Sequence, residues 1–120
     1  MKIYGRDIKF ARTIQATCAV ANLCKDGDTK NLDKLFDGKY QVSQMTAARF
    51  MVALSEGYET QQTYIKAGYE PHPLTEGEAL SLNEDVFSNL FLEAIDAWTG
   101  ERPTIEVEEP KGKKKATAKQ

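Results

Sequence analysis

The 120-residue chain is poor in histidine and cysteine, which many catalytic and metal-binding sites use. It has one histidine and two cysteines. Metal sites and acid–base pairs need several such groups close together, yet His72 stands between two prolines with no second histidine or nearby cysteine. We therefore expect no enzymatic activity and no bound metal or cofactor, and we assign His72 a surface or packing role.

Loops that hold phosphate or calcium are also missing. Neither G-x-x-x-x-G-K nor G-x-G-x-x-G after a strand occurs in the sequence. Four aspartates between residues 26 and 37 look like a calcium loop, but Gly27 comes too early and no glutamate closes the loop. We interpret these aspartates as cap and solvent residues.

Long apolar runs and a disulfide are absent as well. Without eighteen consecutive apolar residues we expect no membrane span, and MKIYGRD lacks the apolar segment of a signal peptide. Cys18 and Cys24 fall on one predicted helix, about 9 Å apart along its axis. Because cysteines so placed cannot be bridged, we expect two free, buried thiols and a cytosolic location.

The sequence predicts a β-hairpin over residues 1–10. Gly5-Arg6 has glycine first, as a two-residue type II′ loop requires. That register pairs Ile3 with Ile8. Met1, Ile3, Ile8 and Phe10 then share one apolar face, and because two strands alone are marginal in water, this face must pack on helices.

Helical spacing of apolar residues predicts the rest of a mainly α domain. The predicted helices cover residues 11–25, 30–37, 43–57, 59–67, 76–82 and 84–99. The first is expected to bury Ile14, Cys18 and Ala21, with Val20 and Leu23 widening the apolar stripe. The third is apolar nearly all round, which is typical of a central buried helix; its apolar positions include Ala47, Phe50, Met51, Leu54 and Tyr58.

Capping residues define the ends of the last two helices. Thr75 followed by Glu78 has the spacing of a capping box before 76–82. Asn83 is suited to cap the helix 84–99, and Gly100 ends it. One apolar stripe of this final helix contains Phe87, Leu90, Phe91, Ala94, Ile95 and Trp98.

Composition changes after this helix. Residues 101–120 contain glutamates followed by a lysine cluster, and apolar residues are nearly gone after Val107. Such a segment cannot bury enough apolar surface to order itself. We therefore predict a helical domain over residues 1–100 and a flexible, disordered charged tail over 101–120.

The lysine cluster leaves a second interpretation open, a small helical nucleic-acid-binding regulator with a helix-turn-helix over 43–67. Residues 1–100 carry ten basic and fourteen acidic residues, a net charge of −4, and 59–67 offers only Lys66. Nucleic-acid binders usually present a basic face on the folded body. We therefore favour a solvated tail and expect no nucleic-acid partner.

The order of features resembles the tail assembly chaperones of long-tailed bacteriophages. The resemblance rests on the hairpin IYGRDIKF at 3–10, LSEGYE at 54–59, PLT at 73–75, a final helix, and an acidic-then-lysine tail with GKKK at 112–115. It spans most of the chain as an overall layout.

This resemblance implies a specific function. Such chaperones are small, mainly helical and self-associating; in the host cytoplasm they coat the tape measure protein, help recruit tail tube subunits, and are absent from the finished tail. Many also exist in a longer form made by ribosomal frameshifting. The expected contacts, chosen from the apolar stripe and the tail, are Phe87, Phe91, Trp98, Lys113, Lys114 and Lys115.

Overall fold

A computed structural model describes residues 1–24, 27–30, 32 and 40–100. It confirms a mainly helical fold with a short N-terminal hairpin. Most of the helix predicted over 30–37, and the whole of 101–120, lie outside the described residues. The elements are β1 (Lys2–Ile3), β2 (Arg6–Asp7), α1 (Ile14–Leu23), α2 (Tyr40–Ile65), α3 (Glu76–Leu80) and α4 (Glu84–Thr99).

The hairpin is present, but its turn lies one residue earlier than predicted, so the predicted pairing was wrong by two residues. Its loop is Tyr4-Gly5, and Ile3 pairs with Arg6. Tyr4 and Gly5 have φ values of 48° and 85°, as in a type I′ turn, which has positive φ at both central residues. This register puts Arg6 on the same face as Ile3 and Ile8, where it finds an ion-pair partner on α3.

Helix α1 begins one residue after Thr13, whose hydroxyl accepts a hydrogen bond from Ala16 N at 3.0 Å. Its predicted stripe was wrong at Ile14, which is 83% exposed, and at Cys18, which is exposed. Val20 of the same stripe is buried, together with Ala16. Small side chains face α2 here because the two helices approach closely. Of the two free thiols, only that of Cys24 is buried.

Helix α2 is the central element, as predicted, but it is one helix where two were expected. It runs unbroken through Gly57, and therefore no helix-turn-helix exists over 43–67. A Cβ at position 57 would lie 2.7 Å from Thr13 Oγ1, so Gly57 permits the contact with α1 and does not end the helix. Phe50, Met51 and Leu54 are fully buried.

The two C-terminal helices follow their predicted caps. The capping box of α3 is complete, since Glu78 N donates to Thr75 Oγ1 at 3.1 Å and Thr75 N donates to Glu78 Oε1 at 3.0 Å. Helix α4 follows Asn83, although the Asn83 side chain makes no capping hydrogen bond. It ends at Gly100, which has the expected left-handed backbone, with φ 78°.

Candidate partner-binding surface

The predicted stripe of α4 separates into a buried part and a half-buried part. Phe87 is only 5% exposed and belongs to the core with Leu90 and Ala94. As a contact residue Phe87 is therefore a poor choice, because its ring is covered by the domain itself. Phe91 and Trp98 are half-buried and pack against the core from one side.

Trp98 lies between an aromatic ring and a cation. Its ring meets Phe50 of α2 edge-on, with centroids 5.6 Å apart. The Arg12 guanidinium carbon lies 3.8 Å from the centre of the indole, and Arg12 Nη1 donates to Trp98 O at 2.8 Å. Helix α4 has no basic residue in its last turn, so Arg12 provides the positive charge that favours a helix C-terminus.

Leu92 extends the apolar surface of α4 into solvent. Its side chain is 59% exposed. Leu92, Ile95 and Trp98 follow one another at three-residue spacing, which makes them neighbours on the helix surface. Ile95 and Trp98 are half-buried, so these three residues form a continuous apolar strip, here called the α4 strip, that leads from solvent to Arg12.

The segment before Arg12 is attached to the rest of the domain at two points. Ala11 N donates to Leu54 O at 3.1 Å, which attaches the segment to α2. Before it, Arg6 forms two hydrogen bonds with the Glu78 carboxylate, at 2.8 Å and 3.0 Å. Arg6 also donates to the carbonyl oxygens of His72 and Pro73. The hydrogen bonds from Arg6 lower the pKa of Glu78 to about 2, and the carboxylate raises the pKa of Arg6.

A set of buried polar side chains on α2 holds the connector to α3. Ser55 Oγ accepts from Leu74 N at 2.8 Å. Glu59 Oε1 accepts hydrogen bonds from His72 N at 2.9 Å and from Tyr69 OH at 2.6 Å. The hydrogen bond between Tyr69 and Glu59 raises the pKa of Tyr69 to about 12. The next member, Gln62, is buried, and its Nε2 has no hydrogen-bond partner among the described residues. His72 itself is exposed, in keeping with the surface role expected for it.

Sequence reasoning did not identify this polar set or two further exposed apolar residues. Ser55, Glu59 and Gln62 share helical spacing within an apolar-rich helix, and that spacing was the available signal. Tyr64 is 88% exposed and lies two turns beyond Gly57 on the same face of α2. No sequence pattern distinguishes an exposed Tyr64 or Ile14 from a buried one.

The remaining predictions concern the tail lysines, metal binding and membrane spans. Lys113, Lys114 and Lys115 lie outside the described ranges. Where the structure describes the chain, no group of three or more His, Cys, Asp or Glu residues is arranged to hold a metal ion. Over the same ranges, every helix is too short or too polar for a membrane crossing.

No known protein family matches the chain, and neither a curated protein nor a solved structure is significantly similar to it.

Proposed function

We propose that this protein is an assembly chaperone that covers apolar stripes on a long helical protein until that protein is enclosed. The observation that carries this proposal is the α4 strip, in which Leu92 is 59% exposed and Ile95 and Trp98 are half-buried. In the phage setting the covered protein is the tape measure protein, and the tail tube protein is the second partner. The chaperone self-associates along its client in the host cytoplasm and is absent from the mature virion.

A helical client suits this strip. An amphipathic helix places apolar residues at i, i+3, i+4 and i+7, and such a stripe docks against apolar helix faces. The Trp98 end of the strip is held in place by contacts with Phe50 and Arg12. A narrow strip forms a small interface, and small interfaces are typical of transient complexes. A coat that is later displaced must form such a transient complex.

The charge of the described residues favours a protein client over a nucleic acid. They include seven basic and eleven acidic residues, a net charge of −4. Affinity for nucleic acid comes largely from lysine and arginine contacts to phosphates. A mobility shift with duplex DNA at low salt tests this directly, and binding at submicromolar protein would favour the regulator.

The decisive experiment is co-purification with tape measure and tail tube proteins expressed alongside the chain. Leu92→Glu places a charge in the α4 strip at an exposed position, so we expect unchanged thermal stability and loss of co-purification. Asn22→Glu is the control, because Asn22 is exposed on α1, outside the α4 strip. If the wild type associates with neither protein, the proposed function is wrong. Equal recovery of Leu92→Glu and wild type would remove the strip as the docking surface.

A further inference from the structure

We infer that Arg12 is a receptor for a carboxylate on the client, so that the α4 strip selects an amphipathic helix with an acidic residue beside its apolar stripe. This inference rests on the proposed function and adds the chemistry of the client. It follows from the position of Arg12 at the Trp98 end of the strip.

The two arginines of the N-terminal region have opposite surroundings. Arg6 uses four of its five N–H donors, two in hydrogen bonds to Glu78 and two in hydrogen bonds to carbonyl oxygens. Arg12 makes no ion pair with any described residue. Its single hydrogen bond uses Nη1. An arginine has five N–H donors in a planar fork, so the Nε and Nη2 donors of Arg12 stay available within the described part of the chain.

Arg12 is also held in one place while it is exposed to solvent. Its guanidinium stacks 3.8 Å from the centre of the Trp98 ring, and the hydrogen bond to Trp98 O fixes its direction. A pre-positioned fork loses little conformational entropy when it binds a carboxylate in the bidentate manner. Carboxylate binding leaves the Trp98 contact intact, because different donors are used.

The distances along α4 set the spacing on the client. Leu92 and Trp98 are six residues apart, which is about 9 Å along the helix axis. Two successive apolar turns of a client helix cover that length. The carboxylate then lies about one turn further on, beside the stripe, where an i+3 or i+4 position reaches.

The test uses two synthetic helical peptides without tryptophan. Each has an apolar stripe at i, i+3, i+4 and i+7, and one flanking position is Glu in the first peptide and Lys in the second. Trp98 is the sole tryptophan of the chain, so its fluorescence in the full-length protein reports binding. We expect the Glu peptide to bind about fivefold more tightly than the Lys peptide at low salt, and less so at high salt.

Arg12→Glu is expected to reverse this preference. The ratio of the two affinities within one variant is the readout, so a general loss of stability in Arg12→Glu does not imitate the result. Lys9→Glu is the control, because Lys9 is exposed nearby in sequence and pairs only loosely with Asp7, at 3.9 Å. It should leave the ratio close to that of the wild type.

The outcomes separate the inference from the proposed function. If both peptides bind equally well and Leu92→Glu abolishes both, the strip docks helices and the role of Arg12 is refuted. If neither peptide binds, the α4 strip does not dock helices, and the proposed function loses the observation that supports it. A third variant, Glu101→Gln, tests the chain's own carboxylate three residues after Trp98; severalfold tighter binding of the Glu peptide by this variant would overturn the inference by showing that Arg12 is already occupied.

Discussion

Gly57 of α2 lies so close to Thr13, the residue before α1, that a Cβ at position 57 would be 2.7 Å from Thr13 Oγ1 and 3.1 Å from Ala11 O. The backbone oxygen cannot rotate away, so the segment that leads into α1 must move slightly if position 57 gains a methyl group. The contact explains a glycine inside a long helix, where glycine normally costs about 1 kcal/mol relative to alanine.

We therefore predict that Gly57→Ala lowers the free energy of unfolding by about 1–2 kcal/mol, because the overpacking cost exceeds the gain in helix propensity. Urea unfolding followed by circular dichroism measures the change. The control is Gly77→Ala in α3, where a Cβ meets nothing within 4 Å and stability should be equal or higher. An alanine at 57 that stabilises the protein would disprove the close contact.

A second prediction concerns pH and the Arg6–Glu78 pair. The pKa of Glu78 is lowered from 4.5 to about 2 in the folded protein, so its contribution is complete above the unfolded value and is lost as pH falls toward 2. Glu78→Gln should cost about 1–2 kcal/mol at neutral pH. The difference between wild type and variant should shrink steadily between pH 4.5 and 2, as measured by urea unfolding.

Glu76→Gln is the control for that experiment. Glu76 pairs with Arg49 at 3.4 Å, and both side chains are substantially exposed, so its removal should cost at most about 0.5 kcal/mol. Equal effects of the two substitutions would mean that the Arg6–Glu78 pair has no special stabilising role.

The third prediction concerns Tyr69, whose pKa is raised to about 12 chiefly by its hydrogen bond to Glu59. Glu59→Gln removes the negative charge that opposes ionisation, so the pKa of Tyr69 should fall toward the ordinary value near 10. NMR titration with ring-labelled tyrosine resolves Tyr69 among the five tyrosines of the chain. Glu56→Gln, at an exposed position of the same helix, should leave the Tyr69 titration unchanged.

The fourth prediction separates the two thiols. Cys18 is exposed and Cys24 is buried, and burial also raises the pKa of Cys24. Because the thiolate is the reactive form, native protein should be alkylated at Cys18 at least tenfold faster, on the order of the protection that burial provides. Mass spectrometry of peptides after timed iodoacetamide treatment measures both rates. Similar rates at the two sites would contradict the buried position of Cys24.

The regular elements were the most predictable part of the fold. Periodicity alone located the core positions Phe50 and Leu90, and cap chemistry located Thr75 and Gly100. The hairpin register was missed because Tyr4 adopts a left-handed backbone that bulky residues rarely adopt.

The face of α1 was missed for a different reason. A search for large apolar residues selects Ile14, whereas the contact with Gly57 requires the small side chain of Ala16. The candidate surface could likewise be predicted only in part. Helical spacing found Trp98, but the contact with Arg12 joins residues 86 positions apart, and no local pattern encodes such a contact.

The bonds of Arg6 also fix the order in which the chain can become native. They join the hairpin to His72, Pro73 and Glu78, across 66 to 72 positions of sequence. A two-stranded ribbon is marginal without support, and closing so long a loop is slow. We therefore expect the hairpin to be among the last elements to reach its native state, and the Ile8 amide, which donates to Met1 O at 2.8 Å, should gain protection late in pulse-labelled hydrogen exchange during refolding.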